Sequence, residues 1–293
     1  MTKRSIPFVI AEIGCNHMGD FEIAKKLIDA AAASGCSAAK FQKRNVKECL
    51  PPEIYDGPHP NPHNSYGATY GEHRENLELT NGQHHELYSY CTSKGIQYSC
   101  TPFDFTSAEF LIKELKIEHL KIASFHNNHY ELVDYICKNH PHKIHISLGM
   151  ISDDELNKLE EVLMQNNAMS RTVLYNCTSN YPCPFEDLHL ENITSLLDRF
   201  GQNALGVGFS GHHQGIAVDM CAYTLGASYF ERHFTLDRTW KGTDHAASLQ
   251  PEGMRKLVRD LNAAKLSLTK RPSGILDAES HNRSFHKFRP ISN

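Results

Sequence analysis

The chain has 293 residues, of which 40% are hydrophobic and 22% are charged, and its formal net charge is −4 at pH 7. This length and hydrophobic content suffice for one large folded domain, so a disordered chain is not expected. A slightly acidic chain without long runs of lysine or arginine gives no indication of a surface for nucleic acid or for an anionic membrane.

The sequence also gives no indication of a targeting segment or of paired cysteines. No apolar stretch reaches the roughly 20 residues of a membrane span, and the N-terminal apolar segment is too short for a signal peptide. The nine cysteines are scattered and include no C-x-x-C pair. A disulfide framework or structural zinc cluster is therefore not expected, and we predict a cytoplasmic protein.

Short apolar or β-branched runs alternate with helical patterns along most of the chain, which indicates repeated βα units. Eight strands are predicted at 8–14, 38–42, 97–102, 119–124, 144–149, 171–178, 204–210 and 229–234. Predicted helices include 21–33, 81–93, 106–115, 153–165, 215–225 and 251–268. The pattern predicts a single-domain (β/α)8 TIM barrel over residues 1–270, followed by a polar tail, 271–293.

Two further features bear on this prediction. No G-x-G-x-x-G follows the first strand, which weakens the alternative of a doubly wound dinucleotide-binding sheet. The irregular stretch 43–80 is too long for an ordinary connection, so we expect an active-site lid or an ordered excursion there.

In such a barrel the active site lies at the carboxyl ends of the strands, and polar residues occur at every predicted end. Lys40 and Lys121 lie within apolar runs, where a charge is costly to bury without an anionic partner. Together with nearby hydroxyls they predict a site for a small, strongly anionic ligand, such as a phosphate ester with a carboxylate. His212 and His233, on neighbouring strands, could hold a divalent metal, although either could equally be an ordinary hydrogen-bonded histidine.

Several stretches resemble the sialic acid synthases, and the resemblance spans about residues 8–265. They are "FVIAEIGCNHMGD", "AAKFQK", "YGEH", "SLGM", "NCTSNYP", "GVGFSGHHQGIA" and "ERHFTLDRTWKGTDHAASLQPEG". The resemblance implies a (β/α)8 barrel that condenses phosphoenolpyruvate with an N-acylmannosamine or its 6-phosphate, giving a 3-deoxy-2-keto sugar acid and phosphate. It also implies a divalent metal, Mn²⁺ with Mg²⁺ or Co²⁺ as alternatives.

The resemblance also implies roles for individual residues. The metal falls on His212 and His233, and catalytic roles fall on Lys40, Lys121 and His126. The implied substrate-binding residues are Thr101, Ser124, Ser147, Ser179 and Ser210 around phosphoenolpyruvate, and Tyr181 and Asp244 near the sugar hydroxyls.

Three departures from the family pattern concern the sugar half of the site. His126 stands where the family has an acidic residue, and Met18 replaces a polar one. The sequence stops just after "ESHNRSFHKFRP", which resembles the start of the family's linker, so we expect the small antifreeze-like C-terminal domain to be missing. An altered acceptor aldose is the expected consequence.

Two other functions remain open from the sequence. A metal-dependent barrel hydrolase usually gathers three or more protein ligands, and the first strand lacks the H-x-H pair that would favour it. A catalytically silent relative that binds a sugar phosphate is suggested by His126 and the missing domain. Phosphoenolpyruvate and an aldose are the expected partners, and a homo-oligomer is expected by analogy with other barrel enzymes.

Overall fold

Eight parallel strands close into a barrel in the computed structural model, which describes residues 5–288. Each strand pairs with its neighbours in sequence, and β8 closes the barrel by pairing with β1. The strands are β1 Phe8–Gly14, β2 Ala38–Lys43, β3 Gln97–Pro102, β4 His119–Ile122, β5 Lys143–Ser147, β6 Thr172–Cys177, β7 Gly206–Ser210 and β8 Tyr229–His233. The predicted TIM barrel is confirmed.

Helices lie in the connections between the strands and after the last strand. They are α1 Phe21–Ala33, α2 Val46–Cys49, α3 Pro52–Tyr55, α4 Tyr70–Leu77, α5 Asn81–Ser93, α6 Phe105–Glu109, α7 Tyr130–Asn139, α8 Asp153–Gln165, α9 Asn192–Phe200, α10 Ala217–Leu225, α11 Pro251–Ser267 and α12 Asp277–His286. None of those within residues 5–288 is both long and apolar enough to cross a membrane.

The structure differs from the predicted elements at element ends, in the helices α2 to α4 of the stretch predicted to be irregular, and in the tail. The fourth strand stops at Ile122 because Ser124–His126 form a 3₁₀ turn. The helix predicted at 106–115 begins as α6 and continues as a π-helical turn over Phe110–Glu114. The tail contains α12, which its polar composition did not predict and which has no buried residue.

Every second residue of each strand points into the barrel, and the polarity of these inward-facing residues changes along the barrel axis. Ile10, Ala38, Val173 and Tyr175 form a small apolar cluster inside the barrel. Two residues further along β1, β2 and β8 come the charged Glu12, Lys40 and Glu231, and two further again the strands reach the open end with Gly14, Gln42 and His233. The large apolar core lies between the strands and the surrounding helices. The charged side chains of the interior therefore lie toward the active-site end, whereas the buried polar residues His119 and His145 lie deeper in the barrel.

Residues 44–80, which we call the mouth segment, form an ordered excursion between β2 and α5. The segment contains α2, α3, α4 and a 3₁₀ turn at Pro62–Asn64. It is tied to the loop after β8 by the Tyr66 hydroxyl, which donates to the carbonyl oxygen of Lys241. It also approaches the loop after β1 so closely that a Cβ on Gly19 would lie 2.1 Å from the carbonyl oxygen of Asn76.

Candidate active site

A cavity of about 490 Å³ opens at the carboxyl ends of the strands, as the barrel prediction required. Every strand or its following loop contributes to its lining. The predicted residues that line it are Lys40, Thr101, Lys121, Ser124, His126, Ser147, Tyr181, Ser210, His212, His233 and Asp244. The structure thus brings together, in one cavity, eleven of the twelve residues that the sequence singled out.

Ser179 is the exception, since it lies behind the cavity wall. A Cβ built on Gly149 would meet the hydroxyls of both Ser179, at 2.5 Å, and Ser124, at 2.7 Å. The Ser124 hydroxyl accepts a hydrogen bond from the Gly149 amide, while that of Ser179 is buried without a partner. Met18 does not line the cavity either, so of the two substituted positions only His126 faces it.

The innermost part of the cavity holds two lysines and two glutamates, which we call the floor quartet. Lys40 Nζ lies 2.7 Å from Glu12 Oε2, and Lys121 Nζ lies 3.0 Å from Glu231 Oε2. Lys40 is also 3.6 Å from Glu231. All four residues are buried. The expectation that the lysines await an anionic ligand therefore needs correction, because the protein itself supplies a carboxylate for each.

The ionisation of the floor quartet follows from these contacts. Burial alone would raise the pKa of Glu231, but Lys121 and Lys40 outweigh it and lower that pKa to about 2. Burial alone would lower the pKa of Lys40, but Glu12 and Glu231 outweigh it and raise that pKa. For Lys121 burial dominates, and its pKa is lowered. The quartet is thus a set of opposite charges held together out of water, rather than a cationic bowl.

Tyr175 lies against Lys121 and connects it to a histidine pair deeper in the barrel. The Lys121 ammonium is 3.8 Å from the centroid of the Tyr175 ring, a cation–π distance. The Tyr175 hydroxyl is 2.7 Å from His145 Nδ1, and His145 Nε2 is 2.8 Å from His119 Nδ1. Burial lowers the pKa of His119 to about 4, so this histidine is neutral at pH 7.

Glu231 and Tyr175 were both missed as site residues, although a signal for them was present in the sequence. Glu231 precedes His233 by two positions on β8, so the two side chains share the inner face. Tyr175 precedes the cavity-lining Cys177 by two positions on β6. Counting back by two from a residue at a strand end would have identified both.

His212 and His233 lie next to each other in the lining of the cavity, with ring centroids 5.4 Å apart. His212 Nδ1 lies 2.8 Å from the carbonyl oxygen of Thr178, so Nδ1 carries the proton and Nε2 keeps a free lone pair. Burial, followed by the charge of His233, lowers the pKa of His212 to about 3 and keeps the ring neutral. His233 Nδ1 is buried without a hydrogen bond and lies 3.7 Å from Asp244 Oδ2.

These donors fit a divalent cation, because a neutral imidazole with a free nitrogen is the form of histidine that binds metal. Tyr181 packs against both rings, with centroid distances of 4.1 Å to His212 and 5.7 Å to His233. Across residues 5–288, no group of three or more histidine, cysteine, aspartate or glutamate side chains is arranged to hold a metal. Within this part of the chain, the two imidazoles therefore have no third side chain of these types beside them in a metal-binding arrangement.

His126 lies at the outer part of the cavity, on the 3₁₀ turn after β4. Its ring packs edge-on against Phe103 at 5.3 Å, and its buried Nδ1 has no hydrogen-bond partner. Burial, with a smaller effect from His129 and Arg44, lowers its pKa. A neutral imidazole with an unused nitrogen therefore stands where the family resemblance predicts a carboxylate.

The mouth segment adds further cavity residues that the sequence did not indicate, because they lie outside any periodic pattern. Arg44 is stacked on the Phe103 ring at 3.7 Å and pairs with Glu78 at 3.2 Å. Tyr70 and Arg74 reach the cavity from α4. The outer cavity is thus built by the mouth segment together with the turn after β4.

Comparison with known proteins assigns this chain to a family. Residues 27–272 match the model of the NeuB family. The chain belongs to the NeuB family. It is 36% identical over 272 residues to N-acetylneuraminate-9-phosphate synthase from Mus musculus, and equally to that from Homo sapiens, covering 93% of this chain and 74% of each relative. It is also 36% identical over 254 residues to N,N'-diacetyllegionaminic acid synthase of Campylobacter jejuni, covering 86% and 75%.

A solved structure supports this NeuB-family assignment. N-acetylneuraminic acid synthetase from Leptospira borgpetersenii, crystallised with citrate, superposes with a TM-score of 0.79 at 26% identity. The match covers 97% of this chain and 93% of that one. The predicted resemblance to sialic acid synthases is confirmed at the level of family and fold.

Proposed function

We propose that this NeuB-family protein condenses phosphoenolpyruvate with an aldose, giving a 3-deoxy-2-keto sugar acid and phosphate. The observation that carries the proposal is the floor quartet lying in one cavity with the imidazoles of His212 and His233. The chain is also 36% identical to proteins named as synthases of neuraminate 9-phosphate and of diacetyllegionaminic acid. These names describe products of the same chemical class.

His212 and His233 are the residues that would hold the metal, for which we propose Mn²⁺, with Mg²⁺ or Co²⁺ as alternatives. A divalent cation bound there would supply a Lewis acid that makes the aldehyde of an open-chain aldose a better electrophile. Asp244, beside His233, and Tyr181, packed on both rings, are placed to bind and orient the aldose hydroxyls.

Lys40 and Lys121 would bind the phosphate and carboxylate of phosphoenolpyruvate, with the hydroxyls of Thr101, Ser124 and Ser147 around them. The Lys40 ammonium donates to the Thr101 hydroxyl at 3.1 Å, so the two groups lie next to each other where we propose that the ligand binds. Because Glu12 and Glu231 neutralise the lysines in the free protein, ligand binding must exchange or share these ion pairs.

The reaction proposed joins carbon 3 of phosphoenolpyruvate to the aldehyde carbon, adds water at carbon 2 and expels phosphate with the bridging oxygen. Positive charge develops at carbon 2 before the water adds. Glu231, whose pKa is lowered to about 2, is too weak a base to take up a proton readily, but its fixed negative charge can stabilise that positive carbon. His126, a neutral imidazole, is a candidate to carry a proton near the acceptor.

The acceptor proposed is an N-acylmannosamine-like aldose or a variant of it. His126 faces the outer cavity where the resemblance predicts an acidic side chain, so the hydrogen-bonding pattern offered to the acceptor differs from that of the family. The hydrolase alternative loses support, because residues 5–288 hold no cluster of three metal ligands.

Phosphate release from phosphoenolpyruvate, measured with Mn²⁺ and a panel of aldoses, tests the proposal. With phosphoenolpyruvate labelled in its bridging oxygen, the label is expected in phosphate. Release without an aldose, or label in the sugar acid, would contradict the reaction. No release with any aldose would leave the silent relative as the better account.

Calorimetric titration with Mn²⁺ tests the metal site separately. The variants His212→Ala and His233→Ala are each expected to lose binding, whereas His281→Ala, an exposed histidine on α12, serves as the matched control. Equal binding by all three variants would place the metal elsewhere.

A further inference from the structure

The residue between Glu231 and His233 on β8 is an arginine that is buried on the outer side of the barrel. Side chains alternate along a strand, so Arg232 points away from the cavity that its two neighbours line. Only 1% of Arg232 is exposed, and its Nη1 donates to Asp219 Oδ2 on α10 at 2.6 Å. Asp219 is also buried. A pair of opposite charges is thus held out of water behind the strand that supplies His233.

Most hydrogen bonds of Arg232 go to the loop that follows β7, residues 211–216. Nη2 donates to the carbonyl oxygens of His213 at 2.7 Å and of Gly215 at 3.0 Å. Nη1 donates to the same Gly215 oxygen at 3.0 Å and lies 3.0 Å from His213 Nε2. The fork of the guanidinium suits this arrangement, because its donors lie in one plane and point at neighbouring acceptors. Arg232 therefore ties two main-chain carbonyls of the loop to β8.

His212 lies in the same loop and is held from two sides. The Thr178 carbonyl oxygen, 2.8 Å from Nδ1, orients the ring, and the carbonyl oxygen of His212 accepts from the Cys183 amide at 3.0 Å. Both of these contacts come from the connection after β6. On the β8 side, the Gly211 amide bonds a strand carbonyl at 3.1 Å just before His212, and Arg232 bonds the main chain just after it.

The distance between the two imidazoles matters for the metal site that we propose. His212 and His233 come from different strands, and their ring centroids are 5.4 Å apart. Metal–imidazole bonds are about 2 Å long, so two rings bind one cation only if their separation and direction both match. Arg232 is next to His233 in the chain and bonded to the loop that carries His212. It is therefore placed to set the position of one imidazole relative to the other.

A role in stability alone is the weaker explanation of this buried ion pair. The layer between the strands and the helices is otherwise largely apolar, and apolar side chains of similar volume would fit it. A buried ion pair adds little net stability over such side chains, because desolvation of both charges offsets their attraction. The contacts that an apolar side chain could not replace are those with the loop carbonyls, and they point to a role in placing the loop.

We infer that Arg232 is a positioning residue for the metal site: by bonding the loop after β7, it holds His212 where it can share one divalent cation with His233. Asp219 acts through Arg232 by fixing the guanidinium. The inference rests on the proposed function and extends it to residues behind the barrel wall, which do not touch the cavity.

Calorimetric titration with Mn²⁺ tests the inference on variants whose folding is checked by circular dichroism. Arg232→Met keeps the apolar stem but loses every bond to the loop, and it is expected to bind Mn²⁺ about 10- to 100-fold more weakly, as is usual when a residue that orients a ligand is lost. Arg232→Lys keeps the charge beside Asp219 without the fork, and its loss is expected at the lower end of that range. If Arg232→Met does not fold, Arg232→Lys decides.

Arg171→Met is the matched control. Arg171 also donates to main-chain carbonyls, those of Cys137 at 2.6 Å and His140 at 2.5 Å, but it precedes β6 at the opposite end of the barrel. This variant is expected to lose stability and to keep the wild-type affinity for Mn²⁺. Wild-type affinity in the Arg232 variants, or an equal loss of affinity in Arg171→Met, would overturn the inference.

A measurement without metal separates this inference from the proposed metal site. The ring-nitrogen NMR signals of His212, assigned with His212→Ala, report whether its Nδ1 proton stays bonded to the Thr178 carbonyl oxygen. In the Arg232 variants this proton is expected to exchange faster with water, whereas Arg171→Met should match the wild type. A wild type that binds no Mn²⁺ would refute the metal site. Faster exchange in the Arg232 variants would even then support the positioning role, and unchanged exchange would refute it.

Discussion

The lysines at the floor of the cavity and Arg74 at its mouth differ in whether a carboxylate balances their charge. At the floor each lysine has its own glutamate at 3.0 Å or less, and the partners come from strands of one closed barrel. At the mouth, Arg74 has only the neutral hydroxyl of Tyr70 as its partner in the described part of the chain. Both residues lie on α4, in a segment outside the barrel. At the mouth, Arg44 is paired with Glu78, whereas Arg74 has no carboxylate oxygen within 4 Å among residues 5–288.

This difference teaches which interactions serve stability and which serve binding. Removing a charge from the floor leaves its partner buried and unpaired, which destabilises the folded protein. Removing the charge of Arg74 leaves no carboxylate unpaired among residues 5–288, because only the neutral Tyr70 hydroxyl accepts from it there. Changes at the floor should therefore lower stability, and changes at the mouth should alter the acceptor with little effect on stability.

Acidification is expected to have the largest effect, and it acts on the barrel body. Burial lowers the pKa of His17, His119 and His140 to about 4 and that of His84 to about 3. The unfolded chain takes up protons at these histidines below about pH 6.5 while the folded protein does not, so stability is lost as pH falls from there toward 4. Between pH 7 and 5.5 the four contribute a loss of roughly 5 kcal/mol.

Urea unfolding followed across this pH range measures that loss. A free energy of unfolding that stays level from pH 7 to 5.5 would show that these histidines are not held neutral by burial.

Substitutions in the floor quartet are expected to have the next largest effect on stability. Lys121→Met leaves Glu231 with Lys40 as its remaining partner, 3.6 Å away, and should cost about 3–4 kcal/mol of stability. Lys113→Met, which breaks an exposed pair with Glu109 at 2.6 Å, should cost less than about 0.5 kcal/mol. Thermal unfolding of both variants makes the comparison, and similar losses would refute the special role of the floor.

Two substitutions of Tyr175 test how its ring contributes to the floor quartet. Tyr175→Leu removes the cation–π contact with Lys121 and leaves a cavity, so a loss of about 2–3 kcal/mol is expected together with a raised KM for phosphoenolpyruvate. Tyr175→Phe keeps the ring and removes only the bond to His145, which should cost about 1 kcal/mol and leave that KM unchanged. If both variants raise the KM for phosphoenolpyruvate equally, the predicted difference between losing the ring and losing only the hydroxyl is wrong.

The smallest effect is expected where the mouth segment meets the barrel. Gly19 has a φ of +76°, and a Cβ there would lie 2.1 Å from the Asn76 carbonyl oxygen, so Gly19→Ala should displace the end of α4. We expect a stability loss of about 1–2 kcal/mol and a raised KM for the acceptor, with the KM for phosphoenolpyruvate unchanged.

Gly95→Ala is the matched control, because Gly95 has a φ of +70° but nothing within 4 Å of a Cβ. It carries the same backbone strain without the close approach. If both variants raise the KM for the acceptor equally, the contact between Gly19 and Asn76 does not hold α4 in place.

The sequence by itself determined the barrel and most of the cavity lining. Alternation of strand and helix patterns fixes the fold class, since only a few architectures bury eight βα units in one chain. Once the barrel is given, Lys40, Lys121, His212 and His233 must meet, because all parallel strands end on the same side. The local periodicity of each strand is sufficient for this step.

Only the tertiary structure decided how the charges pair and what the mouth segment presents. Lys121 and Glu231 are 110 positions apart, and their contact depends on the register and closure of the whole barrel. The place of Arg74 depends on an irregular excursion that no periodicity describes. Local patterns specify which face a residue occupies, whereas the distance between two faces is set by the packing of all the strands and helices between them.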